Sequence, residues 1–289
     1  MRHFTFTGGE PLMRPDIVEL ITFVGTHPAI EAKRMISNLQ LMDRRILRVL
    51  KDQGFALSTS LPGLKTYHLH TGSRRPQRVL RWIREAHRIG LHVTVGVTVT
   101  RLNLDELYET VATALIHGSD TILLNRFLPG GRGLQHRTML ELDRPQINQM
   151  LRVTEEVLRR ANRFGSVGTE LPYCAVDDPE QYQNLHFGFI CSAAKGFFVI
   201  DPSGYVRACN HSPVRIGAID VFSENPYWQA FADRAYTPHG CVFCSKASYC
   251  DGGCRESAHL CFGAIDAIDP LFEDHPEAMR LTTTITNEA

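Results

Sequence analysis

The sequence has no apolar run that approaches the ~20 residues needed to span a bilayer. Met1-Arg2-His3 leads straight into a short strand-like segment, so neither a membrane anchor nor a signal peptide is expected. It has no charge imbalance either. Its 31 Lys and Arg residues balance 31 Asp and Glu, which points to no nucleic-acid partner and no membrane partner. No internal repeat or low-complexity tract stands out, and the first 173 residues hold no cysteine. What is there is a chain of 289 residues, 43% hydrophobic and 21% charged. That balance supports a sizeable core and excludes disorder, collagen and coiled coil. The length suits two domains or one large α/β barrel. Seven of the eight cysteines fall between Cys191 and Cys261, and only Cys174 lies outside. In the cytoplasmic setting expected here, thiols are ligands or nucleophiles rather than disulfides.

The first 165 residues alternate strand and helix. Strand patterns cover residues 3–7, 32–37, 55–60, 91–99 and 121–125. Between them, Pro15 opens a helix carrying Ile17, Leu20, Ile21 and Val24. Asp43 caps a second, with Ile46, Leu47 and Leu50 ahead of Gly54. Helices over 76–89, 104–117 (capped by Asn103) and 143–163 follow. Five such units in sequence predict an α/β fold with a parallel sheet or barrel, whose working face is the loops after the strands. After about Ser166 helical periodicity fades and Cys, Gly, Pro and aromatic residues rise, so domains are expected at 1–165 and 166–289.

The cysteines carry the strongest signal: Cys241-x2-Cys244-x5-Cys250-x3-Cys254, then Cys261, with Cys191 and Cys209 upstream. Soft sulfur ligands select zinc, copper(I) or iron–sulfur clusters. On spacing alone iron–sulfur and zinc stand level, because two all-cysteine zinc sites need eight ligands and Cys174 makes the eighth. Asp201-Pro202-Ser203-Gly204 reads as a hairpin turn that brings Cys191 and Cys209 towards each other. At the first strand end stands Gly8-Gly9-Glu10-Pro11, where two glycines let the backbone approach a ligand and Glu10 adds a carboxylate. Asn38, Ser58, Ser60 and Arg126 occupy further strand ends, with Arg132 following in a glycine-rich run. His68 and His70 read as structural or surface residues, since no third ligand adjoins them.

Together the Gly8–Pro11 loop and the cysteine array resemble the radical S-adenosylmethionine (SAM) enzymes that carry a C-terminal SPASM domain. The array fits the SPASM pattern throughout, as Cys191-x12-Gly204-x4-Cys209, then Cys241, Cys244, Cys250 and Cys254, then Cys261. The resemblance implies a partial (β/α)6-type TIM barrel, here without its first βα unit, followed by a small Cys-rich domain. It implies that Gly8, Gly9, Glu10 and Pro11 contact SAM, with Asn38, Ser58, Ser60 and Arg126 nearby. It further implies two auxiliary [4Fe–4S] clusters. Cys241, Cys244, Cys250 and Cys261 would hold one; Cys191, Cys209 and Cys254 would hold the other, with Cys174 the candidate for its fourth position or else an inert thiol.

The family's Cys-x3-Cys-x2-Cys motif, which binds the SAM-cleaving cluster upstream of the glycine loop, is absent from these 289 residues. The expectation is a chain shortened at its N-terminus that cannot cleave SAM as written. A partner chain that supplies the missing unit is an alternative, and so is a member that kept its clusters for binding. By resemblance the function is a peptide or protein maturase fed by an electron donor such as ferredoxin or flavodoxin. A non-catalytic iron–sulfur binding or electron-relay protein and a zinc-binding interaction module are the competing readings. In the sulfatase-maturing group an aspartate follows the cysteine matching Cys209. Asn210 stands there instead, and an amide takes no proton at neutral pH, which lowers that substrate class. Asp201 and Asp251 are more simply turn residues than bases.

Overall fold

Strand and helix periodicities resolve, in a computed structural model that describes residues 2–272, into a parallel sheet and a small antiparallel one. The chain runs β1 (His3–Phe6), α1 (Ile17–Thr26), β2 (Ala32–Ile36), α2 (Arg44–Asp52), β3 (Phe55–Ser60) and the short α3 (Tyr67–Thr71). It continues with α4 (Pro76–Arg88), β4 (Val93–Val99), α5 (Leu107–Ile116) and β5 (Thr121–Arg126). Next come α6 (Arg137–Leu140), α7 (Arg144–Ala161), β6 (Gly165–Val167) and β7 (Leu185–His186). Strands β1 to β7 lie side by side in chain order, every neighbouring pair parallel. Successive βα units wound in one hand give this order, and it is the order of an open (β/α) barrel.

Local chemistry accounts for the elements. Asp43 caps α2 by accepting from the Ile46 N–H (2.8 Å), and Leu47 and Leu50 turn its apolar stripe inwards. Pro76 occupies the first position of α4, which buries Val79, Leu80, Trp82, Ile83 and Ala86 and stops before Gly90 at φ +74°. Val93, Val95, Val97 and Val99 of β4 share one face and are all buried, while the other face carries buried Thr94 and half-buried Gly96 and Thr98. Asn103 departs from expectation. Its side chain caps no helix; instead it donates to the carbonyls of Pro62 (3.1 Å) and Thr98 (2.9 Å), joining the exits of β3 and β4.

The sheet has two strands more than the five expected. At three and two residues, β6 and β7 are too short to show any periodicity. The 165/166 position falls inside β6. By compactness the chain divides into two units, and the first comprises residues up to Arg126, Gln149–Gly168 and Tyr182–His186. The second comprises Phe127–Asn148, Thr169–Gln181 and residues from Phe187 on. Of the expected 166–289 domain, residues 273–289 lie outside the described residues.

The second unit contains β8 (Val199–Ile200), β9 (Tyr205–Arg207) and β10 (Gly217–Ala218) as an antiparallel sheet, then α8 (Pro226–Ala232) and α9 (Arg255–Phe262). The hairpin turn is built as its residues prescribe: Asp201 accepts from the N–H groups of Ser203 and Tyr205, and Gly204 sits at φ +83°. Strand β10 is an addition. Cys191, Ala193, Ala208, Cys209, Ile216, Phe231 and Tyr236 form the unit's core. Among the described residues, no helix is long and apolar enough to cross a membrane.

Candidate functional site

In the first unit the candidate residues sit where β1, β2, β3 and β5 end. Gly8 lies at φ +121°, a conformation that strains any L side chain, and no atom comes within 4 Å of where a Cβ on Gly8 or Gly9 would stand. The backbone there faces open space that a ligand can fill. Glu10 behaves differently from a ligand-facing carboxylate. Its Oε1 accepts from the Leu12 N–H (3.1 Å) and the Ser37 hydroxyl (2.7 Å), and its Oε2 from the Asn38 N–H (2.8 Å). Glu10 therefore ties the loop after β1 to the loop after β2. Buried Pro11 opens the short turn that follows. Asn38 is exposed and its Oδ1 accepts from the Gln40 N–H (2.9 Å). Leu39 behind it holds φ +59° with its amide on the Ser37 hydroxyl.

Ser58 and Ser60 are two apart on β3 and share a face; Ser58 is buried and Ser60 exposed at the strand's end. Arg126 is buried at the last position of β5, in register with Val99 of β4. Arg132 falls in the other unit, exposed on a short turn. His70 bridges the Thr66 carbonyl and the Thr100 hydroxyl, and His68 bonds the Lys65 carbonyl, so both serve local structure.

One carboxylate at this edge escaped sequence reasoning. Glu106, 7% exposed, accepts from the N–H groups of Leu64, Lys65 and Thr66 and from the Thr66 hydroxyl. Burial alone would raise its carboxyl, but these four donors hold it below the usual glutamate range. It clamps the loop after β3 from forty residues away or more, a distance at which sequence carries no signal.

All eight cysteines lie in the second unit and none forms a disulfide. Five of them fall into two groups. Cys191 and Cys209 share the core, where burial pushes each thiol up to about 12 and Cys191 adds to the effect at Cys209. Cys241, Cys244 and Cys250 occupy a surface loop. The Cys250 sulfur accepts from the N–H groups of Tyr173 (3.4 Å) and Gly252 (3.3 Å), and the Cys244 sulfur from that of Lys246 (3.4 Å). Amide donors of this kind are what thiolate-bound clusters use to set their potential. Among the described residues, no three His, Cys, Asp or Glu side chains close to the range of one metal ion. A cluster makes no such demand, because each thiolate meets its own iron. The donor chemistry fits such a group.

The segment Cys250-Asp251-Gly252-Gly253-Cys254 is fixed by buried acids. Asp251 accepts from the Cys191 N–H (2.7 Å), the Tyr236 hydroxyl (2.8 Å) and the Arg234 guanidinium (Nε, 2.8 Å), so it is fully engaged as a structural anchor. Asp201 is likewise engaged, by Arg207 and Arg215. Asp269 accepts from the Cys254 N–H (2.8 Å). Gly253, at φ +96°, lies against Asp269 so closely that no Cβ fits. Arg255 is wholly buried and donates to the carbonyls of Gly252, Gly253, Ile265 and Ala267. Sequence reasoning also missed Glu256, buried beside the Tyr227 hydroxyl (2.9 Å) and close enough to raise the Cys209 thiol.

Comparison with known proteins gives this geometry a frame. Residues 1–114 match the Radical SAM superfamily. Over this stretch the chain is similar to radical SAM domains. Relatives of the whole chain include proteins named PqqA peptide cyclase. One from Xanthomonas campestris pv. campestris (strain B100) is 25% identical over 98% of this chain and 77% of its own. One from Rhodopseudomonas palustris is 26% identical over the same shares. Solved structures share the fold. Native anSMEcpe with bound AdoMet superposes with a TM-score of 0.70 at 15% identity, over 99% of this chain and 84% of that one. SuiB from Streptococcus suis gives 0.67 at 15% identity over 92% of this chain, which spans 65% of SuiB. The α/β sheet of parallel strands in chain order is thus the radical SAM fold, with open backbone at its glycine loop.

Proposed function

We propose that this chain is a maturase of a peptide or protein, which binds SAM with its first unit and auxiliary clusters with its second. Gly8, Gly9 and Pro11 form the backbone cradle for the SAM methionyl end, Glu10 holds that cradle in shape, and Asn38, Ser58, Ser60 and Arg126 line its approach. The second unit is a SPASM domain holding two [4Fe–4S] clusters. The family's pattern allots Cys241, Cys244, Cys250 and Cys261 to one, and Cys191, Cys209 and Cys254 to the other. The observation that carries this is the sorting of the thiols into a core pair and a surface-loop trio in a chain whose first part is similar to radical SAM domains. When bound, SAM supplies a 5′-deoxyadenosyl radical. The thiolates for the cluster that cleaves it are not among these 289 residues.

A peptide substrate is supported by the relatives' name, PqqA peptide cyclase, and by the solved complexes of SuiB with the precursor peptide SuiA and of anSMEcpe with a peptide. Asn210, with no acid–base capacity, favours bond formation within a peptide over sulfatase maturation. The setting is cytoplasmic, with ferredoxin or flavodoxin as electron donor. The test is iron, sulfide and zinc content of the anaerobically reconstituted chain together with SAM binding by equilibrium dialysis. About eight irons per chain and saturable SAM binding uphold the reading. Two zincs and no iron, or no SAM binding, refute it.

A further inference from the structure

We propose that the outer face of α2 and α4 docks a protein with an acidic surface, the small electron carrier that feeds the clusters. The proposal rests on the cluster reading above and names where its electron donor binds.

The chain's overall charge balance conceals a local excess. Helix α2 carries Arg44, Arg45, Arg48 and Lys51. Helix α4 and its lead-in carry Arg74, Arg75, Arg78, Arg81, Arg84 and Arg88. All ten are exposed, and the same two stretches hold only two acids, Asp52 and Glu85. About a third of the chain's 31 Lys and Arg residues thus sits on two helices. Those helices are neighbours. Strands β2, β3 and β4 lie side by side, and right-handed crossovers put α2 and α4 on the same side of them. Lys51 at the end of α2 donates to the Gly90 carbonyl just past α4. Each helix buries its apolar stripe, Leu47 and Leu50 on one and Val79, Ile83 and Ala86 on the other, which leaves the cations outward.

The arrangement costs the fold something. Among the described residues, the one ion pair these cations make is Arg88 with Glu85 (3.2 Å). Arg44 and Arg48 stand as like charges four positions apart, Arg78, Arg81 and Arg84 at intervals of three, and Arg84 and Arg88 four apart. Like charges at those spacings destabilise a helix. A partner with an acidic surface compensates them.

The shape narrows the occupant. Neither helix exposes a large hydrophobic residue, so nothing there anchors a peptide in a groove or enters a membrane. No exposed ring offers nucleic-acid bases a place to stack, because Trp82 is buried, with the Arg81 guanidinium 5.1 Å from its centroid. What remains is an electrostatic face as long as the thirteen residues of α4, about 20 Å. Charge without apolar anchors, over so small an area, suits the brief and charge-steered encounters of electron-transfer proteins. Both helices also start from strand ends that carry candidate cradle residues, β2 from that of Asn38 and β3 from that of Ser58 and Ser60, so Arg44 and Arg74 stand towards the working edge.

The experiment measures binding of fluorescently labelled flavodoxin and ferredoxin, both acidic, to the full chain by anisotropy. We expect a Kd that rises about tenfold between about 50 mM and about 300 mM NaCl. Arg78→Glu combined with Arg84→Glu turns like-charge neighbours of Arg81 and Arg88 into opposite charges. This double variant should melt no lower than wild type and yet bind about tenfold more weakly in low salt. Lys at the same two positions should keep the affinity, and Arg160→Glu on α7 should leave it unchanged. The proposal falls if neither carrier binds in low salt or if the double variant binds as well as wild type. It falls equally if a DNA oligonucleotide or anionic vesicles bind through these arginines and the carriers do not. Binding needs no iron, so a chain that takes up zinc alone refutes the cluster reading, and the same titrations still decide the docking face.

Discussion

The Ser37 hydroxyl donates a 2.7 Å hydrogen bond to the Glu10 carboxylate, so the acid of the glycine loop is held by the neighbouring strand end instead of facing open space. Its other oxygen takes the Asn38 amide, and the exits of β1 and β2 act as one piece. Replacing Glu10 by Gln sets an NH2 where only donors converge. The cost should be about 1–3 kcal/mol, typical of a buried polar group that loses its partner. Urea unfolding of E10Q measures that loss, and equilibrium dialysis should show SAM affinity reduced roughly tenfold, equivalent to about 1.4 kcal/mol.

Glu106 predicts a pH dependence. Its carboxyl is held below the ordinary glutamate range, so its contribution is complete above the unfolded value of about 4.3 and is lost as pH falls through the lower folded value. Wild-type chain should lose stability over that acid window. E106Q should start about 1–3 kcal/mol less stable at pH 7 and show a smaller acid loss. Denaturant midpoints at pH 7 and in the acid window decide it.

Much of this was readable in advance. The five longer strands lie within two residues of their periodic patterns, because four to seven residues of alternation register burial on a face. The hairpin at Asp201–Gly204 followed from turn chemistry. Strands β6 and β7 escaped because two or three residues hold no period. Glu106, Ser37 and Asp251 act through partners 27 to 60 residues away, and no local pattern encodes such a bond. Asn103 had the right chemistry for a helix cap and is used to bridge two carbonyls instead.

Asp251 accepts from three groups that converge from Cys191, Arg234 and Tyr236, with its own side chain almost wholly buried. Asp251→Asn leaves the Arg234 charge without its partner and turns an NH2 towards donors. A destabilisation of about 3 kcal/mol or more is expected. Thermal melts should shift downwards, and iron bound after reconstitution should fall in parallel.

Gly253→Ala tests the tight approach to Asp269. At φ +96° a side chain is strained before any contact is counted, and Asp269 already fills the space. The strain is about 1–3 kcal/mol, with displacement of the Cys254 amide from Asp269 as the visible result. Lower iron retention during gel filtration than in wild type is the measurement.

Cys191 and Cys209, with thiols raised to about 12, remain protonated in metal-free chain at pH 8. They should resist alkylation there, while exposed Cys244 reacts. Metal loading must expel those protons, so uptake at the core pair should strengthen as pH rises. A pH series of loading in Cys191→Ala beside wild type reads this directly.

The chain enters the thiol-bearing unit three times and returns to the sheet twice in between. That threading sets an order of assembly during synthesis. Cys174 leaves the ribosome ahead of β7, and the loop of Cys241 to Cys250 follows only after the sheet's last strand has been made. Cutting the chain near residue 166 would strand Phe127–Asn148, including Asn148, which donates to the Ala175 carbonyl next to Cys174, on the wrong fragment. The cysteine-rich half is thus no portable cassette, because a cut there removes chain segments that belong to its own unit.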